Sequence, residues 1–180
     1  YDFDGYEEVS ETVSDILDHH ASENQGYVEH VSCDEAYVEF HLERSDDKSP
    51  IEKARELAES IRKEILEATQ CTATVGVGKN KLLAKLGTDH VKPNRSFVVE
   101  DFRSLLKSLE LKQLHGIGYC LNRKLAERDL VTVQDVWELG SRGESELCGI
   151  LGPGLGKKIF GFCNGRDDRP VQPVERKTIG

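Results

Sequence analysis

Apolar and polar positions divide the first hundred residues into segments of two different periods. Val9, Val13, Ile16 and Leu17 recur at helical spacing and predict a helix opened by Asp4 and Gly5-Tyr6-Glu7-Glu8 and ending near Ala21. Tyr27-Val28-Glu29-His30-Val31 alternates as a strand does, and residues 36–42 form a second such run. Little more than Cys33, Asp34 and Glu35 separates them, so an antiparallel hairpin with these acids at its tip is expected. After a charged stretch at 43–49, Pro50 stands where a missing N–H costs least. It starts a long helix with an expected buried stripe of Ile51, Ala54, Leu57, Ala58, Ile61, Ile65 and Leu66. A β-branched strand at 71–78 runs into glycine, a helix follows at about 80–90, and a short strand at 96–99 comes after Lys92-Pro93-Asn94.

One strand added ahead of residue 1 would turn this order into β-α-β-β-α-β, the ferredoxin-like split unit with two helices on an antiparallel sheet and the hairpin central in it. From Asp101 onward the pattern changes to short helices punctuated by glycine. Asp101 can cap a helix at 102–109, and Thr132 with Asp135 can cap one ending at Leu139. Between them lies Leu114-His115-Gly116-Ile117-Gly118, followed by Leu121, Leu125 and Leu130 at helical spacing, and Gly152-Pro153-Gly154-Leu155-Gly156 repeats the turn. The expected architecture is α+β: a partial ferredoxin-like domain at 1–100, a small all-helical domain at 101–166 with a helix-hairpin-helix element, and an extended linker at 167–180.

Composition narrows the class. Across 180 residues, 37% are hydrophobic and 32% charged, which describes a globular chain with a polar surface. No apolar run reaches membrane-spanning length and no signal peptide is visible, so no membrane partner is expected. The chain has no methionine and opens on Tyr1, which suggests a piece of a longer protein. Its five cysteines form no CxxC pair, which argues against zinc and a disulfide framework. They are expected to be small core residues in a reduced compartment. The net charge of −9 conceals a division: residues 1–70 carry twenty acids against six bases, and residues 71–180 carry thirteen acids against eighteen bases. Only the later part suits a polyanion.

Against this background Asp34-Glu35 is the sharpest chemical feature. Adjacent carboxylates at the edge of a core repel and lose hydration, so they call for a cation, a proton or basic neighbours unless the tip is simply a solvated turn. Oxygen-only donors favour Mg²⁺, which is commonly held by one or two carboxylates with substrate phosphates, as in two-metal phosphoryl transfer. Gly76-Val77-Gly78-Lys79 does not match the GxxxxGK[ST] phosphate loop, nor does 151–158, which excludes that type of ATPase. Lys85 and Lys92, seven apart, can place two ammonium groups on one side, either as solvated surface charge or beside a metal-bound triphosphate. Gly116-Ile117-Gly118 before a helix lets backbone N–H groups approach a phosphate, a contact that positions a nucleic acid backbone without reading bases. Asp167-Asp168, set between arginines in an expected loop, is read as a structural decoy.

Together these residues resemble the Y-family translesion DNA polymerases. Ser32-Cys33-Asp34-Glu35-Ala36 is similar to their palm motif, and Val75 through Lys85 with Val91-Lys92-Pro93-Asn94 to their second palm signature. Leu114 to Leu125 resembles the thumb hairpin, and Arg176-Lys177-Thr178-Ile179-Gly180 the approach to the little finger. Within the family, Ser32 to Ala36 and Phe162-Cys163-Asn164-Gly165-Arg166-Asp167-Asp168-Arg169-Pro170-Val171 look most like the eukaryotic deoxycytidyl transferase, or Rev-type, branch. The resemblance implies a palm at 1–100, a thumb at 101–166 and two-metal transfer of a deoxynucleotide, dCMP in that branch, to a primer 3′ end opposite damaged template. Asp34 and Glu35 would be catalytic ligands of two Mg²⁺ ions, with a third carboxylate outside this segment. Lys92 and, more weakly, Lys85 would contact the incoming dNTP (dCTP in that branch), and Gly116, Ile117 and Gly118 would hold the primer-template backbone. It further implies a nuclear protein, other translesion polymerase subunits as partners through outside regions, and a fragment inactive alone. The alternatives are a non-catalytic DNA-binding scaffold that keeps the helix-hairpin-helix, and a palm-type nucleotide cyclase, which gives the thumb no role.

Overall fold

The computed structural model describes residues 3–43 and 47–173, with the side chains of Phe3 and Asp4 left aside. The chain divides into two compact units, Tyr1–Val98 with Arg169–Gly180 and Val99–Asp168. The stretch that resembles the approach to the little finger, at 176–180, lies outside the described residues.

In the first unit α1 (Phe3–Glu23) and α2 (Pro50–Thr69) pack on each other through Ile16, Ile61 and Ile65, with Val13, Leu17, Phe40, Leu57 and Ala73 against them. A full capping box starts α2: Ser49 accepts from the Glu52 N–H while the Glu52 carboxylate accepts from the Ser49 N–H. The apolar stripe of α2 is narrower than its sequence suggests. Ile51 and Leu66 are 44% and 41% exposed, because α1 covers only the face carrying Ala58, Ile61 and Ile65.

β1 (Tyr27–His30) and β2 (Ala36–Glu39) form the expected antiparallel hairpin, with Tyr27 opposite Glu39 and His30 opposite Ala36. β2 stops at Glu39, short of the expected residue 42, since the ladder ends where β1 begins. β3 (Val75–Val77) and β4 (Ser96–Val98) pair in parallel, joined by α3 (Lys81–Val91). The described strands therefore make two separate two-stranded sheets instead of one antiparallel sheet. β3 is also shorter than the expected 71–78. Cys71 N–H bonds to the Thr69 hydroxyl, Gln70 ends α2 in the left-handed region at φ 60°, and the Ala73 carbonyl accepts from Arg62. These bonds occupy the backbone that a longer ladder would have used.

The second unit is helical: α4 (Phe102–Leu106), α5 (Tyr119–Ala126), α6 (Val133–Glu138), α7 (Gly143–Leu151) and α8 (Pro153–Cys163). Its centre contains Leu106, Leu111, Leu125, Val136, Leu147 and Phe162, each almost fully buried. Asp101 caps α4 as expected, accepting from Arg103 and Ser104 N–H groups. The helix ends before the expected residue 109, because Leu109 and Leu111 turn to bond the 131–133 segment, where Glu110 bridges Thr132. The expected capping box of Thr132 and Asp135 starts α6.

The reading of the cysteines as core residues holds only for Cys163, whose thiol burial pushes up to about 12. Cys33, Cys71 and Cys120 are exposed and Cys148 is half-buried. Asp167 is buried at 9% exposure, whereas its neighbour Asp168 is exposed. No helix among the described residues is long and apolar enough to cross a membrane.

Candidate active site

The hairpin tip is built from its own backbone. The N–H groups of Val31 and Ser32 both donate to the Glu35 carbonyl, at 2.9 and 3.1 Å, which closes a tight turn around Cys33 and Asp34. Both acids therefore lie in the turn between β1 and β2 and outside either strand, where adjacent residues would point to opposite faces. The Ser10 hydroxyl on α1 donates to the Cys33 carbonyl at 2.9 Å and braces the tip, while the Ser32 hydroxyl donates to Asp34 Oδ1 at 2.6 Å. Both acids are exposed.

α3 meets this hairpin with a stripe of charge. Lys81, Lys85, Asp89 and Lys92 fall at spacings of four, four and three residues, so they share one side of the helix and its exit. Lys85 Nζ lies 2.5 Å from Glu35 Oε1 and 3.8 Å from Asp89 Oδ1, and Lys92 Nζ lies 3.3 Å from the same Asp89 oxygen. The hydrogen bond to Glu35 raises the Lys85 ammonium above its ordinary value, against the burial that lowers it, with Asp89 adding to the rise. Glu35, Lys85, Asp89 and Lys92 thus form one run of alternating charge from the tip to the end of α3.

A second, better-buried pair anchors the same contact one turn earlier. Lys81, 8% exposed, donates to Glu29 Oε2 at 2.5 Å and sits 5.2 Å from the centre of the Tyr37 ring. Burial raises the Glu29 carboxyl, but Lys81, the Gln172 N–H at 2.7 Å and Arg169 together hold it below its ordinary value. Sequence reasoning singled out Lys85 and Lys92 but passed over Lys81, Asp89 and Glu29. The helical spacing of the α3 charges was the signal available for the first two.

In the second unit, Gly116 adopts φ +101° in the turn before α5, a conformation that favours glycine. Ile117 beside it is 7% exposed and holds the turn to the core. Gly118 is the N-cap of α5, no side chain caps this helix, and a Cβ at Gly118 would meet nothing within 4 Å. Backbone is therefore open to approach there. Gly152, at φ +86°, makes the corresponding turn between α7 and α8.

Among the described residues no group of three or more His, Cys, Asp or Glu side chains is placed to hold a metal ion. Asp34 and Glu35 are a partial donor set whose hard oxygens, exposed at the tip, fit Mg²⁺ sharing its shell with phosphates and water.

Comparison with known proteins adds an independent finding. A family model described as the impB/mucB/samB family matches residues 1–89. DNA polymerase IV of Stenotrophomonas maltophilia is 35% identical over 177 residues, covering 97% of this chain and 46% of that protein. DNA repair protein Rev1 of Drosophila melanogaster is 32% identical over 190 residues, covering 99% of this chain and 17% of that protein. Among solved structures, the insertion ternary complex of Dbh DNA polymerase is similar at a TM-score of 0.74 and 32% identity, over 93% of this chain and 46% of that one. DinB from Sulfolobus solfataricus gives 0.73 and 31%, over 93% and 47%. The chain spans less than half the length of each of these relatives.

Proposed function

We propose that this chain, a relative of the Y-family translesion DNA polymerases in sequence and fold, supplies part of the catalytic palm and the thumb of such an enzyme. The observation that carries the reading is the closed hairpin tip that bears Asp34 and Glu35, with Glu35 ion-paired to Lys85 at the head of the Lys85-Asp89-Lys92 stripe of α3. Carboxylates beside ammonium groups are what transfer from a triphosphate requires: donors for divalent cations and positive charge for the phosphates.

In this reading the palm is 1–100, the thumb 101–166, and 167–180 leads onward. Asp34 and Glu35 hold Mg²⁺ with a third carboxylate from elsewhere in the protein. When bound, the two ions supply stabilisation for the attacking and leaving oxygens of an in-line displacement. Lys92 and Lys85 take the phosphates of the incoming nucleotide, and both already sit against carboxylates, Lys92 against Asp89 and Lys85 against Glu35. The backbone at Gly116, Ile117 and Gly118 holds the primer-template strand through its phosphates.

The thumb role gives a separable expectation. Gly118→Ala adds a methyl group into open space, so stability should be unchanged while a phosphate can no longer approach as closely. Primer-template affinity, measured by anisotropy, should fall about fivefold, equivalent to a lost hydrogen bond of about 1 kcal/mol, and equally for unrelated sequences. Unaltered affinity, or a fall confined to one sequence, would contradict the contact.

The dCTP reading comes from the likeness of 32–36 and 162–171 to the deoxycytidyl transferase branch; the relatives include Rev1 of Drosophila melanogaster at 32% identity, alongside bacterial DNA polymerase IV at 35–36%. A nuclear location goes with that branch. Single-nucleotide insertion by the full-length protein should then favour dCTP opposite all four template bases. Insertion that follows the template base would place the protein outside that branch while leaving its polymerase role intact.

A further inference from the structure

The turn that carries Lys92 is gripped from outside α3 by a residue that the site described above does not use. Arg62 lies in the middle of α2 with its side chain 15% exposed, and its guanidinium is spent on three backbone and side-chain partners. Nε donates to the Ala73 carbonyl at 2.9 Å. Nη2 donates to both the carbonyl and Oδ1 of Asn94, each at 2.6 Å. Nη1 lies 2.7 Å from Glu59 Oε2, and the other Glu59 oxygen accepts from the Ser96 hydroxyl.

Asn94 is the residue that most needs such support. It sits at φ +52°, the left-handed region that side chains other than glycine adopt at a cost, and its N–H donates to Thr74 Oγ1 at 2.9 Å. On the other side, Lys92 N–H bonds back to the Thr88 carbonyl at 3.2 Å, and the Arg95 carbonyl accepts from Val75. The four residues from Lys92 to Arg95 are thus held at each end. Arg62 reaches the point where the chain reverses, with a planar fork that lysine cannot reproduce.

We propose that Arg62 is a positioning residue for Lys92: by fixing Asn94 it sets where the Lys92 ammonium meets the phosphates of a nucleoside triphosphate. The proposal rests on the reading of Lys92 as a nucleotide contact. It explains why Asn94 and its carbonyl, two residues from the lysine, absorb half of the hydrogen bonds of a nearly buried arginine. A role limited to tying α2 to β4 would be met by Glu59 and Ser96 alone.

The test is steady-state insertion by the full-length protein carrying Arg62→Ala, Arg62→Lys, Asn94→Gly, Lys92→Ala, or Arg62→Ala with Lys92→Ala. Misplacement of a contact by about 1 Å can cost up to about a hundredfold, and here KM for the nucleotide should rise about tenfold in Arg62→Ala at unchanged primer-template affinity. Arg62→Lys should not rescue it, because the fork is lost while the charge and the helix former are kept. Asn94→Gly tolerates the positive φ but removes one acceptor, and should raise KM by less, so it remains informative if Arg62→Ala folds poorly. The double variant should be no worse than Lys92→Ala alone. A raised KM in Lys92→Ala that multiplies with that of Arg62→Ala overturns the positioning role alone. An unchanged KM in Lys92→Ala overturns the nucleotide contact itself, and the positioning role with it.

Discussion

Replacement of Asp34 by alanine in the full-length protein is expected to lower Mg²⁺-dependent nucleotide insertion about a thousandfold, the equivalent of roughly 4 kcal/mol of lost transition-state stabilisation. The fold should barely register the change. Asp34 is exposed at the tip and accepts from the neighbouring Ser32 hydroxyl, while the turn itself is closed by backbone N–H groups donating to the Glu35 carbonyl. Exposed substitutions of this kind cost within about 0.5 kcal/mol of stability. Primer-template affinity should also survive, because the proposed backbone contacts lie in the other unit. Glu35→Ala should act in the same direction and additionally release Lys85 from its ion pair. Insertion within a few-fold of the parent in either variant, measured at saturating DNA, would remove these carboxylates from the chemistry.

The second large effect concerns the fold beneath the site. A Cβ added at Gly76 would stand 2.1 Å from the Ala84 carbonyl oxygen and 2.3 Å from the Thr88 backbone nitrogen. Both obstacles are backbone of α3, so no side-chain rotation relieves them. Gly76→Ala must therefore push β3 and α3 apart, and α3 carries Lys81 and Lys85, which grip the hairpin through Glu29 and Glu35. Overpacking of this kind costs about 1–3 kcal/mol and more where backbone is the obstacle, so a loss of about 3 kcal/mol is expected. Urea denaturation followed by far-UV circular dichroism checks it, and an unmoved midpoint would show that strand and helix are less closely apposed. Gly78 faces a similar wall, 2.7 Å from the Ala84 nitrogen. This is the physical reason for the Gly76-Val77-Gly78 sequence that invites comparison with a phosphate loop: the glycines admit a helix against a strand.

Much of the first unit was readable in the chain. Period-two alternation on either side of Cys33, Asp34 and Glu35 specified the hairpin and its tip, and Pro50 specified where α2 starts. The division of the strands into two sheets was not readable. Three-residue strands such as Val75–Val77 carry no partner information, and parallel pairing through α3 leaves no turn signature. The β-branched run Cys71 to Thr74 looked like strand but its backbone is spent elsewhere, on the end of α2 and on Arg62. Ile51 and Leu66 followed the helical period faithfully, yet periodicity marks a face without saying how wide a neighbour will cover it. At the site, Asp34, Glu35, Lys85 and Lys92 stood out as residue types. The pairing of Lys85 with Glu35, and the support of Asn94 by Arg62 thirty-two residues away, depend on tertiary contact that no local spacing encodes.

On the proposed function, Asp34 and Glu35 together bind the divalent cations that accompany a nucleoside triphosphate. Mn²⁺ bound to the full-length protein with primer-template and a non-hydrolysable triphosphate can be counted directly, by electron paramagnetic resonance, from the loss of the free-ion signal. More Mn²⁺ should be bound with the parent than with the protein combining Asp34→Asn and Glu35→Gln, and equal Mn²⁺ occupancy in the two would remove these carboxylates from the metal site.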